Sequence, residues 1–405
     1  MNIPRLAFAY LRRRPLSTVL VVVLLAVGVA VITLTLLLTH ELDSRLHRDA
    51  AGIDLIVGAK GSPLQLVLAG VYHVDVPPGN IPLSAIAQLR ADPLVASVIP
   101  LSLGDNLRGF RIVGTEPALI DLYGGKLAHG ALWTAPLDAV LGSDVARITG
   151  LTVGGTFAGA HGLAAGGGEH GDARYKVTGV LAPTGTVLDR LILTGLESVW
   201  AAHDHQHVEP GHDKADAVHD AEDDDREVTL ALLKYRSPLA AASLARSINK
   251  DTAWVAASPA FETARLLTVF GVGVDLIRAF ALVLMMASAL MLFVALAQSL
   301  EDRRYDMAIL RTLGATRGQV AGVLLVESLV LAAMATVIGM LLAHGAVLAI
   351  GHWRPDAAPL AAAAWRWLPA EWVVVALALG AGILAALWPA WRAWRLDVAA
   401  TLADG

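Results

Sequence analysis

Four long apolar stretches constrain what this chain can fold into. Ser17–Leu38 runs for 22 residues and Ala279–Gln298 for 20 without a charged side chain. Val320–Ile350 carries a single acid, Glu327, and Trp372–Trp388 runs up to Pro389, which is expected to stop it. About 20 apolar residues in a helix cross the hydrocarbon core of a bilayer, so the sequence predicts four membrane spans. A cleaved signal peptide would have an apolar core of about 7 to 15 residues followed by a small-residue cleavage site. Thr39-His40-Glu41-Leu42 offers no such site, and span one reads as an uncleaved anchor. Only 17% of the residues are charged, against roughly a quarter in soluble proteins. The chain has no cysteine, which excludes a disulfide scaffold, a thiolate metal site and a thiol nucleophile.

Positive charges resist translocation, so arginines in short segments beside the spans set their direction. Arg5, Arg12, Arg13 and Arg14 precede span one; Arg303, Arg304, Arg311 and Arg317 lie between spans two and three; Arg392 and Arg395 follow span four. The segment between spans three and four has Arg354 and Arg366. Both termini are therefore expected in the cytoplasm. Trp353, Trp365, Trp367 and Trp372 cluster at one face and Trp388, Trp391 and Trp394 at the other, as interfacial belts do. The expected order is a cytoplasmic N-terminal segment over 1–16, span one over 17–38, an outer domain over 39–278 and span two over 279–298. A cytoplasmic segment over 299–319, span three over 320–350, an outer loop over 351–371, span four over 372–388 and a cytoplasmic tail over 389–405 complete it.

A connection as long as 39–278 must be a folded domain. Runs bounded by Gly and Pro predict strands at Ile53–Val57, Phe110–Val113, Tyr175–Leu181, Leu191–Thr194 and Val228–Leu233. Pro82–Asp92 and Pro238–Ile248 read as helices, giving an α+β domain. Asp275 and Arg278, one helical turn apart before span two, suit a helix that continues beyond the membrane as a stalk.

Between spans two and three stands EDRRYDMAILRTLGATRGQV. Met307, Ile309, Leu310 and Leu313 are expected to form one apolar face of a short helix, and Gly314 is placed to end it in a left-handed turn. Thr316 with Gln319 is a capping-box pattern opening the next helix. The plainer reading is an ordinary loop at a headgroup surface.

These residues resemble the FtsX/MacB superfamily of ABC transporter permeases, the type VII or mechanotransmission class. The shared features are Arg304 with Asp306, Ile309-Leu310-Arg311, Leu313-Gly314-Ala315 and the basic Arg317; the acid is more often Glu in that family. Glu327 after the turn is also familiar there. LAFAYLRRRPLSTVLVVVLLAVGVAV resembles the family's amphipathic lead-in helix, here over 1–16, and first span. VLGSDVARITGLTVGGTF and YKVTGVLAPTGTVLDRLILTGLESVW resemble its periplasmic core domain. The resemblance implies an α-helical membrane protein of the bacterial inner membrane with a large extracytoplasmic α+β domain. It also implies a homodimer, or a heterodimer with a related permease, bound to a separate ABC ATPase. No Gly-x-x-x-x-Gly-Lys-Ser/Thr loop occurs, and Gly125-Lys126 is followed by leucine; the chain is thus expected to bind no nucleotide and to have no catalytic residues, drawing on ATP through its partner. The family places the segment between spans two and three in a groove of that ATPase.

The insert His203–Asp225 carries net charge −8 within a chain of −5, which leaves +3 for the rest. No Lys/Arg stripe interleaves with aromatics, so nucleic acid is not an expected partner. His203, His205, His207, His212 and His219 lie among carboxylates, a ligand set suited to zinc, nickel or copper. Such a tract binds metal compositionally rather than through fixed geometry, and a solvated loop is the plainer alternative. A stand-alone divalent-metal transporter would need His/Asp pairs inside its helices. Only Glu327 and His344 lie within the spans, and no partner for either is evident. A non-transporting regulator of a cell-envelope hydrolase, acting through a periplasmic protein, stays open within the same superfamily.

Overall fold

The computed structural model describes residues 15–161, 169–204, 226–354, 358–395 and 398. It divides into a helical unit, Met1–Leu42 with Val269–Gly405, and an α/β unit, Asp43–Thr268. Asp275 and Arg278 therefore belong to the helical unit, and the compact α/β unit is narrower than the 39–278 expected.

The described helices that build the helical unit, wholly or in part, are α1 (Pro15–Asp49), α2 (Pro259–Asp302), α3 (Arg304–Thr312), α4 (Arg317–Trp353), α5 (Ala358–Ala363) and α6 (Glu371–Trp394). Four of these, α1, α2, α4 and α6, are long and apolar enough to cross a bilayer. At 1.5 Å per residue, the 44 residues of α2 extend about 66 Å, roughly twice a hydrocarbon core of ~30 Å. The helices α1 and α2 each run unbroken through the boundary between the units. The apolar surface shared by α1, α2, α4 and α6 includes Val29, Met285, Leu324 and Val374. Small residues permit close approach: a Cβ on Gly339 of α4 would come within 2.5 Å of the Ala26 carbonyl oxygen of α1. Ser328 donates a hydrogen bond across to the Gly382 carbonyl of α6. Contrary to expectation, Pro389 does not end the last helix, which continues to Trp394. Proline costs one backbone hydrogen bond, and here the turn around it stays packed through Ala385, Ala386, Ala390 and Ala393.

The strands of the α/β unit are β1 (Leu55–Ala59), β2 (Ile81–Pro82), β3 (Val95–Leu107), β4 (Phe110–Thr115), β5 (Leu127–Gly130) and β6 (Asp138–Leu141). They continue with β7 (Thr156–His161), β8 (Glu169–Leu181), β9 (Ile192–Thr194), β10 (Glu227–Val228), β11 (Leu230–Tyr235) and β12 (Trp254–Ala257). Ten form one mixed sheet in the order β12-β1-β11-β3-β4-β9-β6-β8-β5, with β7 pairing β3 and β8; β2 and β10 form a separate pair. Most contacts are antiparallel, but β4 with β9 and β6 with β8 are parallel. The central strands are apolar on both faces because both faces are covered. In β1, Ile56 joins Leu66 and Val67 of helix Pro63–Gly70, whereas Leu55 and Val57 face Leu244 and Ile248 of helix Pro238–Asp251. In β11, Leu230 and Leu232 take the first side and Ala231 and Leu233 the second. Each predicted strand overlaps at least one of these, Val228–Leu233 being split between β10 and β11, and helix Leu83–Ala91 lies within the predicted Pro82–Asp92.

Candidate functional site

The segment joining α2 to α4 is short and tightly specified. Helix α3 ends because Leu313 caps it and Gly314 takes φ +101°, a conformation that a Cβ disfavours. The Thr316 hydroxyl accepts from the Gln319 N–H while the Gln319 side chain accepts from the Thr316 N–H, the reciprocal box that opens α4.

The four apolar residues of α3 do not share one face. Met307 is buried together with Ala308, whereas Ile309 is 37% and Leu313 80% exposed, and Leu310 is half-buried. At about 100° per residue, Ile309 lies about 160° and Leu313 about 120° around the helix from Met307. Tyr305 and Asp306 share the exposed side, while Arg304 and Arg311 are half-buried. Ala315 is half-buried and packs against the same apolar cluster as Met307. The apolar residues thus serve two surfaces, one facing the bundle and one facing away from it.

Charged side chains gather where α2 stops and α3 starts. The Arg303 guanidinium donates to Glu327 Oε2 of α4 at 3.4 Å, and both side chains are nearly buried. Ser17, Thr18 and Ser299 line a small cavity of about 30 Å³ beside this pair. Glu301 forms ion pairs with Arg304 and with Arg392 of α6, each at 2.8 Å. Arg392 also lies over the Trp388 ring at 5.3 Å, and Arg395 over Trp391 at 4.2 Å.

Both intramembrane ionisable residues therefore have partners, contrary to expectation. His344 Nδ1 donates to the Ala364 carbonyl at 2.7 Å, Nε2 lies 3.1 Å from Glu371 Oε2, and Glu371 Oε1 accepts from the Leu368 N–H at 2.9 Å. Trp367 stacks over the imidazole. Neither partnership was legible in advance, because Arg303 and Glu371 lie just outside the runs that defined the spans.

In the α/β unit, the ends of both long helices are tied down. The Tyr72 hydroxyl lies 2.6 Å from the Thr263 hydroxyl of α2 and 3.4 Å from the Leu46 carbonyl of α1. The Tyr123 hydroxyl donates to the Asp49 carbonyl, and the Val187 N–H to Asp49 Oδ1, both at 2.8 Å. A cleft of about 230 Å³ lies between the helices, lined by Leu46, Ala50, Ile53, Ala260, Ala264 and Leu267 among others. Burial pushes the Asp49 carboxyl up to about 6, against the opposing pull of the Val187 N–H and of Arg48, Arg45 and Arg190.

Asp275 and Arg278 form an i,i+3 ion pair at 3.3 Å on α2. His203 lies at the end of helix Leu196–Asp204. His205, His207, His212 and His219 lie outside the described residues, and among the described residues no group of three or more His, Asp or Glu could hold a metal ion.

Residues 18–251 match the MacB-like periplasmic core domain, and residues 278–398 match the FtsX-like permease C-terminal domain. The chain is similar to the periplasmic region of MacB from Actinobacillus actinomycetemcomitans at 13% identity and TM-score 0.34, over 54% of this chain and 95% of that one. It is similar to the extracellular domain of the noncanonic ABC-type transporter YknZ from Gram-positive bacteria at 12% identity and TM-score 0.31, over 50% of this chain and 98% of that one. No curated protein sequence matches the chain.

Proposed function

From the premise that this chain belongs to the MacB/FtsX-type family of ABC transporter permeases, we propose that it couples ATP hydrolysis by a separate ATPase to movement of its α/β domain outside the membrane. In this reading the chain lies in a bacterial inner membrane with both termini in the cytoplasm. It works as a homodimer or beside a related permease, and hydrolyses nothing itself. Helix α3 is the docking element: Arg304 and Met307 hold it to the bundle, with Arg311 and Ala315 completing the inner side. Tyr305, Asp306, Ile309 and Leu313 face the ATPase, Leu310 borders them, and Gly314 sets the angle at which the chain turns back.

The observation that carries this reading is the divided apolar surface of α3. A headgroup loop needs no ordered helix with a bundle-facing Met307 and an exposed Ile309 and Leu313, whereas a docking element needs both. Continuity of α1 and α2 through the unit boundary supplies levers, with Asp275 and Arg278 on the stalk portion of α2. The engagement of Glu327 by Arg303 and of His344 by Glu371 favours this mechanism over a stand-alone metal transporter, which would need those side chains as ligands.

The test is capture of the tagged permease from its native membranes. Leu313→Asp or Ile309→Asp should reduce the associated Mg-ATP hydrolysis by at least about tenfold, as loss of a buried apolar anchor does, while the permease stays in the membrane. Undiminished hydrolysis in both variants would return this segment to a plain headgroup loop.

A further inference from the structure

A docking element transmits force only if the joint behind it does not bend. Between α2 and α3 the chain leaves helical geometry at Arg303, with φ −112° and ψ 8°, and such an element boundary is where a hinge normally sits. The Arg303 side chain crosses that joint. Its guanidinium reaches Glu327 on α4, with only 9% and 6% of the two side chains exposed. A buried pair of this kind resists separation, because parting it leaves two uncompensated charges out of water. Glu301 bridges the last turn of α2, the first turn of α3 and the last turn of α6 through Arg304 and Arg392. Those three side chains are 39–42% exposed, so solvent screens their attraction and they guide rather than lock.

We propose that the Arg303–Glu327 pair is a latch that makes α3 move as one body with α4, so that a push on α3 passes into the spans instead of being absorbed at the joint. This rests on the reading of α3 as the docking element. Arg303 and Glu327 are positioning residues in it. They act through the placement of α3, and the exposed face of that helix is formed by other side chains.

The absence of cysteine allows a direct test on the full chain in lipid nanodiscs. Spin labels on Thr312→Cys and Val337→Cys, the latter at an exposed position of α4, report the distance between α3 and α4. The otherwise unaltered labelled chain should give one narrow distribution, and Glu327→Gln should broaden it roughly twofold or more. Because Glu327→Gln strands a buried charge and could impair folding, the apolar pair Arg303→Met with Glu327→Met is measured beside it. That pair removes both charges together and should broaden the distribution as much, with unchanged helix content. Arg303→Lys, which keeps the charge, should stay narrow, and so should Glu301→Gln. Distributions as narrow as the parent's in both Glu327 variants would overturn the latch. So would a lysine variant as broad as the methionine pair, since packing rather than charge would then hold the helix. Broadening in Glu301→Gln equal to that in Glu327→Gln would also overturn it by moving the lock to the exposed node. The label distances need no ATPase, so failure of the latch is read separately from failure of docking, which the captured ATPase activity reports.

Discussion

Asp49 shows how a single side chain can carry a measurable signature of the fold. Its carboxyl is raised from 3.8 to about 6 because burial disfavours its charge more than Val187 and the nearby arginines favour it. The folded protein therefore binds a proton that the unfolded chain releases between those values. The associated stability is fully present below about 3.8 and is lost as pH rises through about 6. Asp49→Asn keeps an acceptor for the Val187 N–H but cannot ionise. It should raise the unfolding midpoint of the α/β domain at pH 7.5 by a few degrees, for ~1–2 kcal/mol, and give no gain at pH 4. Equal shifts at both pH values, read by thermal scans of the purified full chain, would remove the titration from the explanation. Residue-scale features of this sort were only partly legible in the sequence. Gly314 and Thr316 could be read because a turn glycine and a capping box are local patterns, and φ +101° and the reciprocal hydrogen bonds match them. Glu327 and His344 look solitary in the sequence because their partners lie 24 and 27 residues away, and only the packing of separate helices brings them together.

At the scale of elements, the apolar runs located the four long helices because burial in lipid leaves a compositional mark, but they did not give the helix ends. Pro389 illustrates the difference: proline is a stop signal in water, yet α6 carries it inside a packed turn and runs to Trp394. The two faces of α3 are hidden in the sequence for another reason. An apolar residue facing a bundle and one facing a partner look alike in sequence, and the opposed exposures of Met307 and Leu313 separate them. In the α/β unit, continuous apolar strands such as β1 were found, while β3 was missed because Pro100, Ser102, Asp105 and Asn106 interrupt its pattern. For the insert 203–225 we propose loose capture of zinc-class ions by His203, His205, His207, His212 and His219. Imidazole protonates near pH 6.5 and then ceases to be a ligand. Calorimetry of the full chain with zinc should show weak uptake that fades as pH falls through about 6.5. Removal of residues 203–225 should abolish it, and equal uptake by the shortened chain would place the ions elsewhere.

For the whole molecule, a large domain between apolar helices is legible from span order, and its α+β character from runs such as Ile53–Val57 and Pro82–Asp92. The ten-stranded order, with its two parallel contacts, is not, since strand partners are set by long-range packing. The arginine asymmetry predicts that a reporter fused at Ala215 behaves as extracytoplasmic and one fused after Arg395 as cytoplasmic; a cytoplasmic signal at Ala215 would invert the topology. The central claim is that ATP moves the α/β domain mechanically and does not drive a solute through the spans. It is tested most directly by measuring ATP-dependent ion flux in proteoliposomes holding the permease with its ATPase, with the α/β domain intact and removed. The account predicts no ATP-dependent flux in either form. ATP-driven flux that persists without the α/β domain would contradict it.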